Sequence, residues 1–378
     1  RELARRSMAD FALYTDERYQ MNWHHKLICD TLDDWVDKRI TRLMVFTPPR
    51  HGKSELVSRK LPAYLFGRWP DANVISCSYS SDLSSRMNRD VQRIMDNQRY
   101  INLFPQTRLY GKNIRSVAQG TFLRNSDIFE IVGHRGVYRS AGVGGGITGM
   151  GGDFIIIDDP IKNRAEATSE VLRQNIWDWY ASTLFTRLEK NGSILLTMTR
   201  WHEDDLAGRL LNQMSQKDAE QWTIIDLPAI CEEPGRMPYD PREQGESLWR
   251  AKYNEQAMRN IMVTVGSYEW SALYQQHPQP PEGGILKRGY FKFWEVMPTH
   301  FDTIVQSWDC TFKGDSTSDF VAGHVWGRKA ADYYLLDRVH GRMGITETMS
   351  NIESLSAKWP QAAAKYVEDK ANGTAVIE

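Results

Sequence analysis

The chain has 378 residues, 41% of them hydrophobic and 25% charged, a globular composition that excludes intrinsic disorder. Its 47 Lys and Arg against 48 Asp and Glu leave a formal net charge of −1, which excludes a uniformly basic nucleic-acid coat and a strongly acidic tail protein. At roughly 100–200 residues per domain the length predicts two domains, and no apolar run approaches the ~20 residues of a membrane span.

The N-terminus carries no signal-peptide pattern and no initiator Met, so a soluble intracellular chain, a fragment or a trimmed one, is expected. Cys29, Cys77, Cys231 and Cys310 lie dozens of residues apart without a CxxC, which predicts small buried residues in a reducing compartment.

In chain order, Leu27, Ile28, Leu32, Trp35 and Val36 recur at helical spacing within residues 21–40. A buried strand at 43–46 stops at Thr47-Pro48-Pro49, and a helix is predicted from Ser54. Residues 73–79 read as a second buried strand, with Ser81 or Asp82 capping the next helix. Residues 128–132 and 137–140 flank His134-Arg135-Gly136 as a hairpin, and strands at 154–157 and 193–199 are separated by a helix carrying Trp177, Trp179 and Tyr180. This alternation predicts a parallel, doubly wound α/β sheet. Pro and Gly crowd residues 228–245 and 278–284 as loop and linker signals. Strands at 303–309, 319–326 and 332–339, a helix at 345–358 and a strand at 365–368 follow. The boundaries expected are 1–245, a connecting segment 246–295, and 296–378.

The strongest motif is Thr47-Pro48-Pro49-Arg50-His51-Gly52-Lys53-Ser54, set between a predicted strand and a predicted helix, the context of a phosphate-binding loop. Gly52 lets the backbone turn its N–H groups to the phosphates, Lys53 reaches the β- and γ-phosphates, and Ser54 offers a hydroxyl to Mg²⁺. Thr47 stands where the usual pattern has its first Gly. The strand 154–157 ends in Asp158-Asp159: Asp158 is placed to hold the metal, and Asp159 to orient water as general base, with Glu166 and Glu170 as rivals. Thr199, ending the next strand, is a candidate γ-phosphate sensor.

The glycine-dense run 142–152 precedes a strand and does not open a helix, so it reads as a mobile loop beside the nucleotide and not as a dinucleotide fingerprint. Arg139 before it is a candidate arginine finger. Residues 86–140 hold ten Lys and Arg against four Asp and Glu, and Arg86, Arg89 and Arg93 share one helical face that could grip a DNA backbone. In the C-terminal part, Asp309 ends one strand, Asp315 and Asp319 follow in a loop, and Glu368-Asp369 end another strand. Acids at two adjacent strand ends can clamp two divalent metals about 4 Å apart for phosphodiester cleavage.

Together, the phosphate loop, residues 154–160, residues 197–202 with Glu203-Asp204-Asp205-Leu206, and WSALYQQHP at 270–278 resemble the large terminase subunit of tailed bacteriophages, over nearly the whole chain. The resemblance implies an α/β P-loop NTPase with a mostly parallel sheet, followed by an RNase H-like nuclease domain. It implies ATP and Mg²⁺ as cofactors, with Mn²⁺ an alternative at the nuclease. Arg50, His51, Gly52, Lys53, Ser54, Asp158 and Thr199 would serve the nucleotide; Asn22, Trp23 and His24 resemble the region that contacts adenine. Asp309 matches the first nuclease metal ligand and Glu368 or Asp369 the second. A third acid from a later helix is absent from this sequence, so a truncated nuclease domain is expected. The implied partners are double-stranded viral DNA, the procapsid portal protein, the small terminase subunit and further copies in a homo-oligomeric ring, with a monomer in solution, all in the host cytoplasm and none in a membrane. The expected function is ATP-driven packaging of DNA with metal-dependent cutting of the concatemer. The competing readings are a helicase-like P-loop translocase without nuclease activity and a nucleotide-regulated DNA-binding scaffold.

Overall fold

The computed structural model describes residues 1–110, 114–115, 122–235, 237, 239–279, 292–294, 296–310, 321–341 and 343–367. The chain forms two compact units, Arg1–Ile285 and Leu286–Glu378.

In the first unit, α1 (Met8–Thr15) and α2 (Trp23–Val36) precede β1 (Arg42–Phe46). A wide π-turn (Glu55–Lys60) then runs into α3 (Leu61–Arg68). Pro62 lacks the N–H that an α-helix would direct to Ser58, and the helix widens just before it. Next come β2 (Asn73–Ser78), α4 (Ser81–Asp96), α5 (Gln98–Leu103) and the two-residue strands β3 (Ile114–Arg115) and β4 (Phe122–Leu123). The N-cap of α4 is Ser80, whose side chain accepts from the Leu83 N–H, and not the expected Ser81 or Asp82. β5 (Ile128–Glu130) and β6 (Val137–Gly142) make the predicted hairpin. β7 (Gly152–Asp158), α6 (Arg164–Thr168), α7 (Glu170–Asp178), β8 (Leu188–Met198), α8 (Leu206–Gln213), β9 (Thr223–Asp226) and α9 (Glu255–Glu269) complete the unit.

The sheet order is β5-β6-β2-β7-β8-β1-β9, parallel throughout except for β5. Both faces are covered, as continuous apolar strands require. Leu43, Val45, Phe154 and Ile156 join one buried cluster, while their neighbours Met44, Phe46, Ile155 and Ile157 join the other. Phe46 pairs with Met198, and Asp158 with Thr197, so β1, β7 and β8 end together on one edge. Loops at this carboxyl edge are where open α/β sheets bind ligands.

Two expectations differ from what is found. Residues 246–295 were expected to connect the domains, but Glu255–Glu269 forms α9, and Met258 and Trp270 are buried with Ala229 in a small core of the first unit. The 142–152 run was expected as a mobile loop; instead Ile147 is buried in the second cluster, and Gly146 accepts from Arg139 at 3.0 Å. The missed signal was an apolar side chain inside a glycine run.

The second unit contains β10 (Thr303–Asp309), β11 (Val321–Lys329), β12 (Asp332–Gly341), α10 (Ile345–Lys358) and β13 (Ala362–Val367) in the order β12-β11-β10-β13. The first three strands are antiparallel and β13 is parallel to β10. Trp308 fills its core with Val321, Val325 and Leu355. Gly323 pairs with Trp308 and must be glycine, because a Cβ there would come within 2.4 Å of the indole. No helix among the described residues is long and apolar enough to cross a membrane.

Candidate nucleotide site

The 47–54 loop leaves β1 in a conformation that ordinary side chains avoid: Arg50 has φ +62 and Gly52 φ +93. It is tied down from behind. His24 Nε2 and His25 Nε2 each lie 3.0 Å from the His51 carbonyl oxygen, so both rings carry their proton there. Because carbonyl and N–H point oppositely across a trans peptide, this turns the Gly52 N–H forward, away from the two rings. Lys252 Nζ holds the Arg50 carbonyl at 2.8 Å, and His51 Nδ1 lies 2.9 Å from the Pro49 carbonyl. Burial depresses all three imidazoles, His24 to about 2 and His25 and His51 to about 4, so they are neutral packing and hydrogen-bonding groups at pH 7.

In front of the loop, side chains from three segments converge. Lys53 Nζ donates to Thr199 Oγ1 at 2.7 Å and pairs with Asp159 Oδ2 at 2.9 Å. The other Asp159 oxygen accepts from the Thr199 N–H at 2.9 Å, and Asp159 itself has φ +47. Asp158 is fully buried and accepts from Ser54 Oγ at 3.2 Å and Ser58 Oγ at 2.5 Å. Burial, with Asp159 adding to it, pushes the Asp158 carboxyl up to about 6. Among the described residues no ion pair reaches it. Its hydrogen-bond donors are uncharged hydroxyls, and the Lys53 ammonium that lowers it is already paired to Asp159, so the two adjacent carboxylates leave charge for a further cation to offset. Ser54 and Asp158 together are the hard-oxygen donor set that Mg²⁺ takes, so these residues fit that ion.

A cavity of about 530 Å³ opens beside the loop, lined by Arg50, Gly52, Lys53 and Ser54 with Arg18, Tyr19, Gln20, His25, Trp249 and Lys252 among others. His24 was expected on this wall but stands behind the loop, fully buried; His25, Tyr19 and Gln20 take that place. Asn22, the N-cap residue of α2, donates to the Leu248 carbonyl and not to the cavity. Ser58 could have been found from its i, i+4 spacing to Ser54, which puts both hydroxyls on one helical face. Trp249 and Lys252 had no signal, since they come from a segment about 200 residues away.

The remaining predicted residues lie apart. Glu166 Oε2 accepts from the Lys162 N–H at 2.9 Å and closes the turn that starts α6, and Glu170 is exposed in the first turn of α7. Arg139 sits on β6, with β2, β7 and β8 between it and β1, and three residues short of the strand end. Arg86 and Arg89 are exposed on α4, while Arg93 pairs with Asp90 at 2.7 Å. Asp205 is a structural acid. Fully buried, it accepts from Arg200 Nε at 3.0 Å and caps α8 by accepting from the Gly208 N–H at 2.9 Å.

In the second unit Asp309 is the exposed last residue of β10. The parallel pairing to β13 runs to Trp308 opposite Val367, one residue before each acid in sequence. Asp315, Asp319, Glu368 and Asp369 lie outside the described residues, as do Lys112 and the side chain of Arg115. Among the described residues no group of three or more His, Cys, Asp or Glu is placed to hold a metal ion.

Residues 44–263 match the N-terminal domain of the T4likevirus-type terminase large subunit, and residues 306–378 match the terminase RNase H-like domain. The chain belongs to the large terminase subunit family. This phage family joins an ATPase domain to an RNase H-like nuclease domain, and both domains of this terminase have the α/β architecture expected of them. No curated protein matches the chain. Among solved structures it is similar to the large terminase of a thermophilic bacteriophage, at 10% identity over 92% of this chain and 78% of that one, with a TM-score of 0.41. It is also similar to a mutant ATPase domain of the Thermus phage P74-26 large terminase, at 11% identity over 72% of this chain and 100% of that one, with a TM-score of 0.43. A third is the Phi-28 gp11 DNA packaging motor, at 7% identity over 88% and 82%, with a TM-score of 0.34.

Proposed function

We propose that this terminase chain hydrolyses ATP at the Lys53–Asp158 cleft, uses the turnover to drive double-stranded viral DNA into procapsids, and cuts the concatemer with its C-terminal domain. The observation that carries the reading is the convergence of Lys53, Ser54, Asp158, Asp159 and Thr199 from three segments on one sheet edge. The Gly52 N–H, the Lys53 ammonium and the helix beginning there bind the phosphates. Ser54 and Asp158 would hold Mg²⁺, which when bound neutralises charge on the phosphate oxygens. Lys53 is now shared by Thr199 and Asp159. Once it turns to the phosphates, Asp159 Oδ2 is free to orient water and accept its proton. Glu166 is the weaker candidate for that base, its carboxylate being committed to a helix cap. Arg139, distant from its own phosphate loop, acts in this reading on the nucleotide of a neighbouring subunit in a ring docked on the portal. The exposed Arg86 and Arg89 meet DNA phosphates.

For cutting, Asp309 with Glu368 and Asp369 would hold the divalent ions, Mg²⁺ or Mn²⁺, that stabilise the attacking and leaving oxygens. The small terminase subunit delivers the DNA. The test is Lys53→Ala, which should abolish ATP turnover in the full chain; turnover within a few-fold of wild type would reject the ATPase assignment. Metal-dependent plasmid cleavage that persists in Asp309→Ala would reject the nuclease assignment and favour a translocase without nuclease activity.

A further inference from the structure

One continuous stretch, residues 249–276, touches the phosphate loop itself and the chain just after each of the other two nucleotide motifs. At its start Lys252 holds the Arg50 carbonyl of the phosphate loop at 2.8 Å. At the end of α9, Glu269 pairs with Arg164, five residues beyond Asp159, with Oε1 2.8 Å from Nε and Oε2 2.5 Å from Nη2. Arg164 also donates to the Trp201 carbonyl at 2.6 Å. Finally Gln276 Oε1 accepts from the N–H of Arg200, the residue after Thr199, at 3.3 Å.

The last contact is built with some care. Gln275 and Gln276 are both almost fully buried, at 3% and 2% exposure, where an amide must spend its donors and acceptors on protein. Gln275 takes both main-chain groups of Ile230, at 3.0 Å each. Gln276 accepts from Arg200 N–H while its own Nε2 donates to the Leu273 carbonyl at 2.6 Å. Its backbone sits at φ +59, the left-handed region that a glutamine enters at a cost. That strain is maintained by the burial and bonding of the side chain. Beyond it, His277-Pro278 lead in sequence toward the second unit.

We propose that Gln276 is a positioning residue for the ATP reaction. It fixes the main chain at Arg200, and so the adjacent Thr199, whose hydroxyl and N–H set Lys53 and Asp159. This rests on the ATPase reading above. When Lys53 leaves Thr199 for a phosphate, the Arg200 amide and the Gln276 side chain register the change.

The experiment uses the full chain, with turnover measured below the unfolding temperature of each variant. Gln276→Ala should lower kcat about tenfold or more while KM and the affinity for a fluorescent ATP analogue stay within about twofold. Gln276→Asn, which keeps an amide donor and acceptor and tolerates the left-handed backbone at φ +59, should lose less than Gln276→Ala and stay within about threefold of wild type. Equal losses in the two variants, or a Gln276→Ala kcat within about twofold of wild type, would overturn the proposal. Should Gln276→Ala not fold, hydrogen exchange at the Arg200 amide of the wild type decides. Its rate should differ by about fivefold or more between ADP and a non-hydrolysable ATP analogue, and equal rates reject the role. Wild-type protein without Lys53-dependent turnover removes the ATPase reading itself. Normal turnover with an indifferent Gln276 removes only this inference.

Discussion

The ammonium of Lys53 lies 2.7 Å from the hydroxyl of Thr199, a residue 146 positions away in sequence. The contact joins the phosphate loop after β1 to the end of β8, and Asp159 closes the triangle by binding both residues. A hydrogen bond to a charged donor contributes about 1.5–3 kcal/mol. Once Lys53 turns to the phosphates, that hydroxyl is free to bond the γ-phosphate, an equally charged partner, so Thr199→Val should lower ATP turnover roughly 10- to 100-fold and Thr199→Ser should restore most of it. Steady-state kinetics on the two variants check this; a Thr199→Val enzyme at wild-type rate would show the hydroxyl to be idle.

Gly52→Ala should be more damaging than a mid-loop alanine usually is. At φ +93 an added Cβ would come within 2.5 Å of His25 Nε2, and that ring is itself bonded to the His51 carbonyl. The loop must move, and with it the Gly52 N–H. Expected are a loss of nucleotide binding by at least tenfold and a stability loss of about 1–3 kcal/mol from the backbone strain alone. Isothermal titration with an ATP analogue and thermal unfolding measure the two effects separately.

Asp205→Ala tests a different role. Asp205 and Arg200 form a buried pair, and Asp205 also caps α8. Removing one partner of such a pair costs about 3–5 kcal/mol because a buried charge is left uncompensated. Denaturant unfolding should show a loss of that size, whereas Asp204→Ala, at a half-exposed site, should cost about 1 kcal/mol or less. Similar losses in both variants would contradict the assignment.

The imidazoles behind the loop give a pH dependence with a definite sign. His25 and His51 are depressed to about 4 in the fold against 6.5 for the free side chain, and His24 lower still. Between these values the unfolded chain binds more protons than the folded one, so stability rises with pH. The contribution is fully present above pH 6.5 and is lost as the pH falls toward about 4. Melting temperatures should drop steeply over this window, and a His25→Asn variant should have a shallower slope. An unchanged slope would place the acid sensitivity elsewhere.

Much of the fold was legible in the sequence because local chemistry specified it. The apolar runs at 43–46 and 154–157 could only be strands buried on both faces, and the Thr47–Ser54 segment and the Asp158-Asp159 pair announced themselves by following them. β10 and α10 occupy the predicted residues. Where side chains with no sequence proximity had to meet, the sequence was silent. α9 lies in a stretch whose Pro and Gly flanks suggested a connector, and its burial depends on Ala229 and Trp270. The exchange of His24 for His25 on the cavity wall turns on a helical rotation of one residue, about 100°, that no pattern distinguishes when both positions are histidine.

The sequence by itself determined the order of strands and helices and the residue types at the nucleotide site, since hydrophobic periodicity and loop chemistry are local properties. Only the tertiary structure decided which carbonyls are tied back, which hydroxyls reach Asp158, and that Gln276 lies against the end of β8. Those contacts are set by the parallel sheet, whose crossovers bring β1, β7 and β8 to one edge and leave the segment after β9 to close over it.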